Sequence, residues 1–145
     1  MSIMGIDVGT TGCKAAVFSV DGNCIAHAYR EYHILHSQDG WSELDSKEVM
    51  ARVKDVIRAT TMAARPKDAV TALSISSMGE AMTPVSRNRN ILGTSILSSD
   101  IRGGNLLAEA LKSIDKESFY KINPNILGPN YSLPKLLWLK KNNPD

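Results

Sequence analysis

The sequence predicts an α/β domain, a mixed β-sheet with helices packed on it, and three observations carry that expectation. The first thirty residues alternate apolar and small residues in short runs separated by glycine turns, the mark of strands. An amphipathic segment with a clear start signal follows from Asp45. After it, strand-like and helix-like segments alternate, so the order is β-hairpin plus strand, helix, strand, helix.

The first strand is a short apolar run that ends in an aspartate, Asp7. A tight turn, Gly9-Thr10-Thr11-Gly12, comes next, and residues 14–20 read as a second strand. Asp21-Gly22 is expected to close a tight hairpin into a third strand over residues 23–30. Gly9 and Gly12 can take positive φ and leave room for a ligand. Successive N–H groups of such a turn, with the Thr10 and Thr11 hydroxyls, can line a concavity for phosphate oxygens. Asp7, at the carboxyl end of its strand, is placed to hold Mg²⁺ through water. A glycine hairpin with no ligand is the competing reading. Two better-known phosphate loops are excluded: no Gly-Lys-Ser/Thr precedes a helix, and Asp7 stands where a dinucleotide fingerprint needs glycine.

Composition narrows the classes. The chain has 145 residues, 43% apolar and 22% charged, which suits one globular domain. A net charge of +2 argues for neither nucleic acid nor a membrane surface as partner. No apolar run approaches the roughly 20 residues of a membrane span, and no secretory signal is visible. Two cysteines, Cys13 and Cys24, fit a reduced cytoplasm. With Cys24 opposite Ser19 across a tight hairpin, it lies about six residues along the strand from Cys13, beyond disulfide reach at about 3.3 Å per residue.

Asp45 reads as an N-cap, with Glu48 completing a capping box. Val49, Met50, Val53, Val56, Ile57 and Thr60 then form one face of a helix that runs to about Ala64, before Pro66. Residues 69–75 read as a buried strand opening into the small, polar segment 76–81, where open α/β sheets place ligands. Residues 82–85 suggest a short edge strand, confined there by Pro84. Residues 91–97 are apolar again. Ser98-Ser99-Asp100 is read as the cap of a helix over roughly 102–114. A loop rich in Asn, Pro and Gly follows, and Ser132 is read as the cap of a last helix with Pro134 in its first turn. His33 and His36 lack a third ligand and are read as structural. Trp41 and Trp138 are read as packing residues.

Four segments now define a resemblance. They are Gly5-Ile6-Asp7-Val8-Gly9-Thr10-Thr11-Gly12-Cys13-Lys14; Gly40-Trp41-Ser42-Glu43-Leu44-Asp45; Ile75-Ser76-Ser77-Met78-Gly79-Glu80-Ala81; and Ser99-Asp100-Ile101-Arg102 followed by Asn130-Tyr131-Ser132-Leu133-Pro134-Lys135-Leu136. In this order and spacing the chain resembles the N-terminal part of the FGGY-type carbohydrate kinases, which phosphorylate sugars and polyols with ATP. The resemblance implies a ribonuclease-H/actin-like fold, with ATP and Mg²⁺ as cofactors and a sugar or polyol as substrate. It implies that Asp7 sits near Mg²⁺ and the transferable phosphoryl group. Gly9, Thr10, Thr11 and Gly12 would form the phosphate-side loop, with Lys14 steadying phosphates or a carboxylate. The segment Met78-Gly79-Glu80 would meet the sugar, Glu80 accepting hydrogen bonds from its hydroxyls. Asp100 and Arg102 would support the pocket, and Tyr131 would border it.

The blander roles are a solvated Lys14, Asp100 as an N-cap, Arg102 as a first-turn arginine with a solvated head, and Tyr131 as packing. Ser77-Met78-Gly79-Glu80 departs from the Gln-Met-His or Gln-Arg-Glu of several relatives, and no tryptophan precedes Asp100, so the sugar is not named. Residues 1–145 are expected to be a partial N-terminal domain. The resemblance puts the general base in a later segment and the adenine site in a second domain. The chain alone is therefore expected not to phosphorylate anything at a useful rate, and to expose an apolar surface through which copies could self-associate. A non-catalytic sugar- or partner-binding module, or another actin-like ATPase, is the alternative on the same fold.

Overall fold

A computed structural model describes residues 1–144. Three strands open the chain: β1 (Ser2–Val8), β2 (Gly12–Ser19) and β3 (Cys24–Glu31). The sheet is completed by β5 (Val70–Ser77), giving the order β3-β2-β1-β5. β1 is antiparallel to β2 and parallel to β5, so the sheet is mixed as expected. The period of two puts Met4 and Ile6 of β1 and Cys13, Ala15 and Val17 of β2 on one buried face. Helix α1 (Ser46–Ala64) packs on that face over β2 and β3, contributing buried Val56, Thr60 and Ala64.

Asp45 caps α1 as read: its Oδ1 accepts the Lys47 and Glu48 N–H groups at 2.8 and 3.2 Å. Glu48 turns to Arg52 at 3.2 Å, however, so its carboxylate does not close the box. Met50, expected on the packed face, points outward. The β2–β3 turn is longer than the tight hairpin expected. Its loop occupies residues 20–23 with Gly22 at φ 82°, and a register shift after Val17 sets Cys24 opposite Phe18 rather than Ser19. Both cysteines are free, Cys13 lying opposite Arg30.

The apolar run of β5 reads as a buried strand. It is instead an edge strand with Leu73 56% and Ile75 58% exposed, beside Met4 and Ile6 of β1. The physical reason is coverage: α1 lies over β2 and β3 and leaves β5 open. No strand forms at 82–85, where only the bridges Met82–Ile96 and Val85–Ile91 are made. The polar 38–45 passage contains a strand not foreseen, β4 (Glu43–Leu44), which pairs with β6 (Ser95–Ile96).

Helix α2 (Gly104–Ala110), followed by a 3-10 turn at Leu111–Ser113, starts later than expected and is preceded by Gly103, not by Asp100. Helix α3 (Lys116–Ile122) occupies part of what reads as loop, its Asp115 cap accepting from the Ser118 N–H at 2.9 Å. In α4 (Ser132–Asn142) the N-cap is Tyr131, and Ser132 is already helical.

Gly103 has φ 81°, and a Cβ there would collide with the backbone carbonyl of Pro134. Left-handed backbone costs a non-glycine residue roughly 1–2 kcal/mol before any clash. Gly103→Ala should therefore lower the unfolding free energy by about 2 kcal/mol or more, read from urea denaturation, because neither Pro134 nor the α4 backbone can move aside cheaply.

Candidate functional site

At the carboxyl end of β1, Asp7 pairs across the ladder with Lys14, and their side chains meet at 3.3 Å. The Asp7 side chain is 47% exposed, so the carboxylate faces an open edge. The following loop is closed by the Gly9 N–H donating to the Gly12 carbonyl at 2.9 Å. Gly9 and Gly12 are not at positive φ, contrary to expectation. Gly12 is needed for closeness instead, since a Cβ there would run into the Tyr29 hydroxyl and the Arg30 carbonyl.

Tyr32 holds this loop from behind, and the sequence reading missed it. Its hydroxyl donates to the Gly9 carbonyl at 2.6 Å, and its N–H donates to the Thr11 carbonyl at 3.2 Å. In a trans peptide the N–H points away from the C=O, so fixing the Gly9 carbonyl toward buried Tyr32 turns the Thr10 N–H to the opposite, open side. Among the described residues no group engages the N–H or hydroxyl of Thr10 or Thr11. Burial, with Cys13, Asp7 and Tyr29 nearby, pushes the Tyr32 phenol up to about 12, which keeps it a neutral donor. The only sequence signal was its buried register just past β3, which the flanking histidines obscured. His36 serves structure, its Nδ1 lying 2.8 Å from the Trp41 carbonyl.

The parallel register sets Asp7 beside Ser76 and Val8 beside Ser77. The segment after β5 therefore leaves the sheet at the same edge as the glycine-threonine loop. Met78 packs half-buried against the core, and Gly79 is exposed with open space where a Cβ would stand. Glu80 reaches α4: its Oε2 accepts both the Ser132 N–H and the Ser132 hydroxyl at 2.7 Å. These bonds from Ser132 hold the Glu80 carboxyl below the usual range. Tyr131, half-buried, precedes them and gives its carbonyl to the Lys135 ammonium at 3.0 Å.

Asp100 and Arg102 lie deeper. Asp100 is fully buried and accepts the Ser42 N–H at 2.8 Å, the Arg102 N–H and Nε at 2.9 Å, and Arg102 Nη2 at 2.7 Å. Arg102 Nη2 also donates to Glu43 Oε1 at 2.8 Å. Thr94 and Ser37 complete the Glu43 carboxylate at 2.7 Å each. The guanidinium lies 3.7 Å over the Trp41 ring, and Trp138 meets Trp41 edge-on at 5.2 Å. A solvated Arg102 head and a capping Asp100 are both overturned. Burial alone would raise both carboxyls, but the hydrogen bonds from Arg102, Ser42, Ser37 and Thr94 outweigh it and hold them low. Among the described residues no three His, Cys, Asp or Glu side chains converge as a metal cage.

The FGGY family of carbohydrate kinases, N-terminal domain, matches residues 2–145. The chain belongs to the FGGY family of carbohydrate kinases. It is 30% identical over 143 residues to a probable L-xylulose kinase of Haemophilus influenzae, covering 97% of this chain and 29% of that one. Among solved structures, a ligand-bound xylulose kinase from Lactobacillus acidophilus superposes with a TM-score of 0.84 at 26% identity, over 99% of this chain and 29% of that one. Plasmodium falciparum glycerol kinase with ADP shares the fold, with a TM-score of 0.90 at 22% identity over 99% and 29% of the two chains. The architecture is thus the actin-like ATPase fold. The chain spans about 29% of the length of the curated relatives it matches. No helix among the described residues is long and apolar enough to cross a membrane.

Two outcomes are expected. Tyr32→Phe leaves the Gly9 carbonyl without its buried donor, which should cost about 1–3 kcal/mol in urea unfolding and shift the Thr10 amide resonance. Acid should unfold the protein through Glu43 and Asp100. Their folded-state values lie below the unfolded ones, so their contribution is complete above about pH 4.5 and is lost as pH falls through the lowered values. Circular dichroism against pH, with Asp100→Asn flattening the acid limb, checks the sign.

Proposed function

We propose that this chain supplies the phosphate-facing and sugar-facing corner of an ATP-dependent carbohydrate kinase, which transfers the γ-phosphoryl group to a hydroxyl of a sugar or polyol. The observation that carries the reading is the common sheet edge: the β1 loop and the 78–80 segment emerge side by side from parallel strands. In this reading the Thr10 and Thr11 amides and hydroxyls receive phosphate oxygens, and Lys14 adds positive charge beside them. Lys14 also meets the Asp7 carboxylate at 3.3 Å and orients it.

The donor set at Asp7 fits Mg²⁺, which is ordinarily held by one or two carboxylates together with water and substrate phosphates rather than by an all-protein cage. A single open carboxylate at a strand end, with no cage around it, matches that demand. Bound there, the ion would supply neutralisation of charge developing on the phosphates. Glu80 would accept from a substrate hydroxyl through the oxygen that Ser132 leaves free. Tyr131 would border the same pocket. Asp100 and Arg102 act at one remove, by fixing the segments that carry it. The general base and the adenine site belong to kinase sequence outside these residues, since transfer needs positioning from both sides of a cleft. Xylulose-type ketoses and glycerol are the substrate classes to try first, since relatives carry those names.

A coupled ADP-release assay of the intact gene product tests this. Turnover dependent on a ketose or polyol is expected, falling at least ~100-fold in Asp7→Asn. The 145-residue chain by itself should give none. Absence of turnover from the intact product across ketoses, glycerol and sugar acids would overturn the reading.

A further inference from the structure

Lys135 is the one lysine of the described chain with no exposed surface, and it meets no carboxylate within salt-bridge distance. Its ammonium donates to two backbone carbonyls, Pro129 at 2.7 Å and Tyr131 at 3.0 Å. A buried ammonium is costly, and two neutral acceptors return only part of its lost hydration. Something beyond loop closure accounts for a charge in this place.

The geometry of one peptide group supplies it. The Tyr131 carbonyl and the Ser132 N–H belong to the same trans peptide unit and point in opposite directions. Lys135 holds the carbonyl end; Glu80 Oε2 holds the N–H end at 2.7 Å. A cation and an anion thus grip the two poles of a single amide, each polarising it in the sense that strengthens the other bond. We propose that Lys135 is a positioning residue for Glu80: acting through the 131–132 peptide, it fixes one carboxylate oxygen on the α4 N-terminus and leaves the other turned to a sugar hydroxyl.

The placement of the remaining charges agrees. Asp100, Glu80 and Arg102 are the ionic groups that act on Lys135, and Asp100 is already saturated by Arg102 and Ser42. Glu80 is therefore the carboxylate whose arrangement Lys135 is free to influence. The role of the Glu80 oxygen toward sugar rests on the kinase reading; the Lys135–peptide–Glu80 link does not.

Nuclear magnetic resonance on the 145-residue chain separates the two. In the wild type, a through-hydrogen-bond coupling between the Ser132 nitrogen and the Glu80 carboxyl carbon is expected. Lys135→Met should move the Ser132 amide proton upfield, in the direction Glu80→Gln moves it, and should raise its exchange rate at least ~10-fold. Glu80→Gln should reciprocally shift the Lys135 ammonium nitrogen. A cooperatively folded Lys135→Met chain with the Ser132 resonance and exchange unchanged overturns the proposal. Should that variant not fold, the wild-type coupling decides: its absence overturns the proposal, its presence together with the Glu80→Gln response supports it. None of these readouts depends on phosphoryl transfer, so they test the link whether or not the kinase assay succeeds.

Discussion

Asp7 and Ser76 stand side by side because β1 and β5 run parallel and in register, and nearly everything at the candidate site follows from that pairing. A parallel ladder sends both chains out at the same edge, whereas the antiparallel β1–β2 pairing turns the chain straight back through the Gly9–Gly12 loop. The loop and the 78–80 segment are separated by the whole of β2, β3 and α1 in sequence. Neighbouring strands lie about 4.8 Å apart, so the ladder reduces that separation to one strand spacing. A one-residue slip of β5 would reverse the faces of Leu73, Ser74 and Ile75 and carry Ser77 out of line with Val8.

On this frame the protein uses one device twice. A backbone carbonyl is pinned from the interior, and the amide of the same peptide unit is thereby aimed outward. Tyr32 does this to the Gly9–Thr10 unit, and Lys135 does it to the Tyr131–Ser132 unit. Loop amides left to themselves satisfy their carbonyls with water and sample many orientations. Pinning the carbonyl removes that freedom in advance, so a ligand or a carboxylate meets a donor already in place. The gripping groups suit their tasks. A phenol pushed up to about 12 stays a neutral donor beside the Asp7 carboxylate, while an ammonium adds charge where the far end of the peptide faces Glu80.

Local chemistry made much of this legible. The Asp45 cap, the α1 stripe through Val56 and Thr60, the β1–β2 turn and the family motifs all rest on residues within one or two turns of each other. What stayed hidden depends on distant partners. Asp100 has the residue type and position of an N-cap, but the Ser42 N–H and Arg102, whose guanidinium is seated on the Trp41 ring, take up its carboxylate instead. Ser132 likewise reads as a cap, yet its amide is itself capped from Glu80, far away in sequence. β5 has the apolar run of a buried strand, and composition alone does not reveal that α1 covers β2 and β3 instead. Lys135, in a helix with Lys140 and Lys141, carries no local sign that it is the lysine turned inward.

The Glu43–Arg102–Asp100 cluster explains how rigidity reaches that edge. It joins the strand pair β4–β6 to the turn before α2, and through Trp138 it touches α4. Buried ion clusters contribute little net stability when complete, because desolvation offsets their attraction, yet breaking one is expensive, at roughly 3–5 kcal/mol. Their effect is therefore on uniqueness more than on depth. With two carboxylates sharing one guanidinium, any displacement of residues 40–44 relative to 95–102 leaves a buried charge unpaired. The Ser42 N–H on Asp100 and the Ile101 N–H on the Gly40 carbonyl stitch the same two segments through backbone donors. The 40–44 segment is thus held in one position against the segment that carries Asp100 and Arg102. Thr10 and Thr11, by contrast, are exposed and the Asp7 side chain is 47% exposed, which is the openness the proposed phosphate role calls for.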